Sequence, residues 1–257
     1  MIIVFSGTGN SLAVARKLRE HIGGELVELE GDLLTNPTCR TLEIPAGEVL
    51  VWVFPIYSWG MPPVVADFIR RSKIKGAHGI NHFMVCTCGD DIGYADNQWR
   101  KLIGRRGWNP RGAFSVQMPN TYVLMKGFDV DSPELAASKA AAMPARVASV
   151  ADAIARGFAE SDVVRGSSAW LKSAVVYPFF KRFCMSPLPF HCTGNCTGCG
   201  VCAAGCPTGN ISIVDSRPQW GRKCALCLRC YHACPSHAVA YGKETDGKGQ
   251  KAIGSVL

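Results

Sequence analysis

The chain has 257 residues, 47% hydrophobic and 19% charged, enough for one α/β domain of ordinary size and a small second module. Its formal charge of +8 is uneven: Lys and Arg against Asp and Glu run 17 to 16 over residues 1–160 and 11 to 4 over 161–257. The basic residues are scattered rather than blocked, which argues against nucleic-acid binding. The apolar run Ser173–Phe180 is 8 residues long and contains Pro178, far short of the ~20 residues that a membrane span needs.

Residues 2–5 are all apolar and predict a buried parallel strand, followed by a helix over Asn10–Ile22 with Leu12, Ala15, Leu18 and Ile22 on one face. Strand-like runs follow at Glu25–Glu28, Val49–Phe54, His82–Thr87 and Ala113–Met118, with helical patterns at Pro63–Arg71 and Ala95–Arg105. Strands alternating with helices imply an α/β doubly wound parallel sheet. The stretch from Glu30 to Gly47 holds Pro37 and Pro45, so its helix is expected to be short or missing. Ser132 caps a further helix with Pro133 in its first turn, expected to kink or stop near Pro144 and to end around Ala159. Residues 161–190 carry Trp170, Tyr177, Phe179, Phe180 and Phe183. Packing between two modules is the first reading of these aromatics, and a membrane-surface role is the second. Residues 243–257 read as a polar, loosely ordered tail.

Thirteen cysteines fit either a secreted disulfide protein or an intracellular metalloprotein. No basic, apolar leader with a cleavage site precedes the first strand, and the expected location is the cytoplasm. Two runs share one spacing: Cys196, Cys199, Cys202 and Cys206-Pro207, then Cys224, Cys227, Cys230 and Cys234-Pro235. Three cysteines at intervals of three wrap one face of a [4Fe–4S] cubane, and the fourth, turned away at its proline, ligates the other cluster. One set is then Cys196, Cys199, Cys202 and Cys234, the other Cys224, Cys227, Cys230 and Cys206. Gly198 and Gly200 leave room where backbone N–H groups approach cluster sulfur. Short β pieces are expected at Asn210–Val214 and Ala238–Tyr241. Zinc on the Cys-x-x-Cys pairs is the alternative, but zinc does not require Cys-Pro in both copies. Two cubanes with their thiolates would carry about −4, offsetting much of the basic excess. Cys192, Cys184 and Cys39 are left over, since both sets are complete without them. The module resembles the bacterial two-cluster ferredoxins over roughly residues 190–242.

Between the first strand and the first helix lies Ser6-Gly7-Thr8-Gly9-Asn10-Ser11. It lacks both the third glycine of the dinucleotide fingerprint and the Lys-Ser/Thr of a P-loop. Its hydroxyls and a helix N-terminus are suited to a phosphate monoester without Lys or Arg. The segment is similar to the FMN phosphate loop of flavodoxins, and the resemblance implies strand order 2-1-3-4-5 with FMN at the switch point. It also implies ring contacts from the loop holding Pro55, Tyr57, Trp59 and Gly60 and from the loop holding Gly89, Asp90, Gly93 and Tyr94. Gly60 would offer a carbonyl near N5. Cys86 and Cys88 border this region and read as small buried residues, while His82 reads as solvated and non-catalytic. The chain as a whole resembles the single-chain flavodoxin–ferredoxin fusion proteins. Thr121 stands where the Met-Pro-x-Asn-Tyr segment of that group has Asn.

The resemblance implies a flavodoxin-like domain at 1–160, a connector at 161–189, a two-cluster module at 190–242 and a tail at 243–257. It implies an electron carrier with FMN and two [4Fe–4S] clusters. The basic half would dock an acidic redox partner protein. An FMN-dependent reductase and an oxygen-sensing module are the alternatives. No general acid–base pair or NAD(P)H domain is evident in the sequence.

Overall fold

The structure is a computed structural model that describes residues 1–251. The first unit runs β1 (Ile2–Val4), α1 (Asn10–Ile22), β2 (Leu26–Glu28), α2 (Gly31–Thr35), β3 (Thr41–Glu43), β4 (Leu50–Pro55), α3 (Pro63–Arg71), β5 (Lys73–Lys75), β6 (Asn81–Cys88), α4 (Ala95–Arg105), β7 (Asn109–Gln117), α5 (Pro133–Ala155) and β8 (Ser161–Asp162). Six strands form one parallel sheet in the order β2-β1-β4-β6-β7-β8. Without β8 this is the flavodoxin-like order expected. The strand order reverses between β1 and β4, which opens a crevice beyond their carboxyl ends.

Both faces of the sheet are covered, so its central strands need apolar residues at every position. Leu50, Trp52 and Phe54 of β4 pack with Phe68 and Ile69 of α3 and Trp99 and Ile103 of α4. Val51 and Val53 point the other way, against Val14 and Leu18 of α1 and Val147 and Ile154 of α5. The Ser132 hydroxyl accepts the Leu135 N–H at the start of α5, as expected. The helix runs through Pro144 and ends at Ala155, because the buried stripe Met143, Val147, Val150 and Ile154 outweighs one lost backbone bond. The awkward stretch after β2 holds the short α2 and the small strand β3, which pairs in parallel with β5 outside the main sheet.

Residues 169–184 form one helical rod. It is built from α6 (Ala169–Leu171), a π-turn over Lys172–Val176, α7 (Tyr177–Phe179) and a second π-turn over Phe180–Cys184. The cysteine-rich unit follows as β9 (Phe190–Cys192), α8 (Val201–Ala204), β10 (Ile211–Val214), β11 (Arg217–Trp220), α9 (Arg229–His232) and β12 (Val239–Tyr241). β9 pairs antiparallel with β12, and β10 with β11. The expected loose tail is anchored as far as residue 251. Tyr241 N–H donates to Thr245 Oγ1, Lys248 Nζ donates to the Val123 and Met125 carbonyls, and Tyr231 Oη to those of Lys248 and Gly249. The rest of that tail, 252–257, lies outside the described residues.

Candidate functional site

The eight cysteines gather into two cradles. One cavity is lined by Cys196, Cys199, Cys202 and Cys234, the other by Cys224, Cys227, Cys230 and Cys206. Each therefore takes three cysteines from one run and the fourth from the other. The cavities are similar in volume, ≈ 350 and ≈ 310 Å³ counted to their open mouths, as a two-fold repeat requires. Among the described residues no three His, Cys, Asp or Glu side chains converge closely enough to hold a single ion. The thiols stand around a space rather than meeting at a point.

The backbone repeats as well. Asn210 N–H donates to Cys206 Sγ at 3.3 Å, and Ala238 N–H to Cys234 Sγ at 3.2 Å, four residues on in each copy. Thr208 and Ser236 bring a hydroxyl to the same two sulfurs at 3.5 and 3.6 Å. Gly198 and Gly200 have φ of 71° and 75°; their counterparts Leu226 and Leu228 have 53° and 63°. The left-handed turn thus persists where no glycine stands. Burial pushes Cys224 up to about 12 and also raises Cys202, Cys227 and Cys230. Burial acts to raise Cys234 too, but the Ala238 N–H, the Ser236 hydroxyl and further N–H groups bring it below its ordinary value. Cys192 also lines the first cavity, with Arg217 Nη1 3.8 Å from its sulfur.

The second cradle is docked on the sheet crevice. Ala225 and Cys227 pack with the core on the α3–α4 face, and the Cys227 carbonyl lies so close to Gly7 that a Cβ there would stand 2.4 Å from it. Arg229 donates to the carbonyls of Ser6 at 2.7 Å, Gly7 at 2.9 Å and Gly205 at 3.1 Å, and pairs with Glu30. Sequence reasoning missed Arg229. Its one signal is a break in the repeat, since the equivalent residue of the first run is the exposed Val201.

In the loop after β1, Ser6, Thr8, Asn10 and Ser11 are buried, Gly7 is buried and Gly9 half-buried. Ser11 Oγ bonds Thr87 Oγ1 at 2.7 Å, Thr8 Oγ1 donates to Thr121 Oγ1 at 3.3 Å, and Asn10 Nδ2 to the Pro119 carbonyl at 2.8 Å. The Ser6 hydroxyl is buried without a partner. Lys251 Nζ, missed from sequence, contacts Thr8 O at 3.5 Å and Asn10 Oδ1, and burial brings it down to about 8.

The loops expected to hold a ring are brought together at the same end of the sheet, after β4 and β6, but the connector lies across them. Tyr177 Oη donates to the Met61 carbonyl at 2.6 Å, and a Cβ on Gly60 would meet its ring at 2.4 Å. Ser173 Oγ donates to Trp59 O at 3.0 Å and accepts from Tyr94 N at 2.7 Å. Lys172 pairs with Asp91 at 2.7 Å and stands over the Trp59 ring. The Gly60 carbonyl is taken by Tyr57 N–H at 2.9 Å. Pro55 ends β4, and the Tyr57 hydroxyl is buried without a partner, its pKa raised by burial and by nearby Cys227 and Cys224. Gly89 packs on Asn120, the Asp90 carbonyl accepts from Gln117 at 2.9 Å, and Gly93 donates to Asp91.

His82 is fully buried rather than solvated, accepting from Trp52 Nε1 at 3.2 Å and bonded to Ala77 O at 2.9 Å. Cys86 and Cys88 are buried, and burial pushes Cys88 up to about 12, so neither is an activated thiol.

No family model matches the chain. The iron–sulfur subunit of the nitrate-inducible formate dehydrogenase of Escherichia coli K12 is 34% identical over 61 residues, covering 20% of this chain and 20% of that protein. Its counterpart from Shigella flexneri gives the same figures, so the chain spans 20% of the length of these curated relatives. A crystal structure of a candidate flavoprotein from Bacteroides uniformis ATCC 8492 aligns with a TM-score of 0.37 at 17% identity, covering 46% of this chain and 88% of that one. The Trp repressor binding protein from Bacillus subtilis aligns with a TM-score of 0.36 at 16% identity, covering 57% and 96%. Among the described residues no helix is long and apolar enough to cross a membrane.

Proposed function

We propose that this chain is an electron-transfer protein, a flavodoxin–ferredoxin fusion with two [4Fe–4S] clusters in the cysteine cradles and FMN held by its phosphate at Ser6–Ser11. In this reading residues 1–160 bind FMN, 161–189 connect, and 190–242 hold the clusters, which pass electrons to a redox partner protein of acidic surface. The observation that carries it is the interleaving of the cradles, each with three cysteines of one run and the Cys-Pro cysteine of the other. That is the ligand pattern of a two-cluster site. Zinc also binds cysteine thiolates, but it does not require the Cys-Pro that ends both runs. N–H groups aimed at Cys206 and Cys234 sulfur stabilise thiolate charge there. The curated relatives are named as iron–sulfur subunits, which agrees with this reading.

The flavin fits at one end. The first turn of α1, the unpartnered Ser6 hydroxyl and the Lys251 ammonium suit a phosphate monoester. At the ring end, the polar groups of the two loops already bond Ser173, Tyr177 and Tyr57, so a ring does not fit while the connector is docked. When bound, FMN would exchange two electrons and the clusters one each. The chain's own residues hold the cradles against the sheet through Arg229 and exclude water from Cys202 and Cys230, which are 9% exposed.

Iron and acid-labile sulfide, measured on anaerobically purified full-length protein, test this directly. About eight of each per chain are expected. Zinc in place of iron, or about half that iron, would remove the basis for the reading.

A further inference from the structure

The outer face of the connector rod is apolar, and nothing among the described residues covers it. Trp170 is 67% exposed, Phe179 57% and Phe183 63%, with Leu171 and Val175 about half exposed and Leu188 beyond the rod at 83%. These residues line up because the wide π-turns, with their i→i+5 bonds, offset the drift of an α-helix and keep side chains four apart in register. The inner face holds Ser173, Tyr177 and Phe180, which seat the rod on the loops after β4 and β6 and against the cysteine-rich unit. The aromatic residues are therefore divided between two jobs, and only the inner ones pack between modules.

The charge along this segment of the chain has one sign. Residues 163–190 contain Arg165, Lys172, Lys181 and Arg182 and no Asp or Glu. Arg165 and Lys172 are spent on Asp96 and Asp91. Lys181 and Arg182 are exposed, with Lys181 Nζ 5.8 Å from the Tyr177 ring centroid and the Arg182 guanidinium 5.1 Å from that of Phe183, and neither has an ion-pair partner among the described residues. We propose that this rod is an interfacial helix that lies on an anionic lipid surface. Trp170, Phe179 and Phe183 would enter the headgroup–acyl boundary, while Lys181 and Arg182 meet lipid phosphates. A convex ridge needs no complementary groove in a lipid surface. A second copy would bring two unpaired basic pairs together, which like-charge repulsion disfavours. The rod is too short to span, so the protein would rest on the membrane.

The test is flotation of the full-length protein with vesicles of phosphatidylcholine alone and with about one-third phosphatidylglycerol. Binding to the mixed vesicles only is expected, weakened by salt. Phe179→Ser/Phe183→Ser and Lys181→Glu/Arg182→Glu should each lower the bound fraction at least tenfold. Neither pair touches the cysteine cradles, and unchanged iron content with an unchanged circular dichroism spectrum reports intact folding. Wild-type protein unbound at every lipid concentration would overturn the proposal. So would a concentration-dependent dimer that the Phe179→Ser/Phe183→Ser variant abolishes, since that would assign the ridge to a second copy.

Discussion

Leu226 and Leu228 adopt the left-handed backbone that glycine supplies at 198 and 200. For a side-chain-bearing residue this costs about 1–2 kcal/mol. Both leucines are at most 5% exposed, and burying a leucine contributes about 1.5–3 kcal/mol, so burial offsets the strain. Gly198 and Gly200, half-buried at an open cavity, have no such compensation. It follows that Leu228→Ala should be worse than Leu228→Gly, by about 1 kcal/mol in urea unfolding, because alanine loses the packing and keeps the strain. The usual order, with glycine the worse, would refute the compensation. His82 gives a pH signature. Burial lowers its pKa from 6.5 to about 4, the Ala77 carbonyl acting the other way. Between those values the unfolded chain binds the proton and the folded chain does not, so stability is lost as pH falls from about 6.5 to 4, by roughly 3 kcal/mol in all. His82→Gln removes this loss. Its stability deficit against wild type, measured by urea unfolding, should shrink by that amount over the same window, and a constant deficit would contradict the assignment.

At the scale of elements, local pattern carried most of the fold. Alternating apolar strands and helix faces give the α/β class and the parallel sheet, the flavodoxin resemblance implies its strand order, and Ser132-Pro133 places the start of α5. What pattern did not reveal depends on distant partners. β3 exists through β5, some thirty residues later, and Arg229 acts through Ser6 and Gly7, 223 and 222 residues away. The rod at 169–184 is the clearest case: its sequence displays apolar content but not which half faces the loops after β4 and β6. The flavodoxin resemblance assigns Gly60 a carbonyl near flavin N5, whereas that carbonyl accepts from Tyr57 N–H and Gly60 makes room for Tyr177. In the proposed reading, an isoalloxazine ring and the docked rod compete for the same loops. Tyr177→Ala should raise FMN affinity at least tenfold in a flavin fluorescence titration, and Tyr177→Phe, which loses only the bond to Met61, should raise it less. Equal affinity in all three proteins would show that the ring binds elsewhere.

For the whole molecule, the arrangement sets an order between the two cradles. The one built on Cys206, Cys224, Cys227 and Cys230 is pressed against the sheet crevice, while Cys199 of the other is exposed. Exchange with a partner protein is then expected at the outer cradle. The proposed function rests on interleaved ligands, which the repeated Cys-Pro spacing implies and the lining of the two cavities supports. Its most direct test is the electron paramagnetic resonance spectrum of three reduced single variants of the full-length protein: Cys206→Ala, Cys227→Ala and Cys199→Ala. With interleaved ligands, Cys206→Ala disturbs the same cluster as Cys227→Ala, so their residual spectra should match and differ from that of Cys199→Ala. A Cys206→Ala spectrum matching that of Cys199→Ala would mean that each run holds its own cluster, and the account would be wrong.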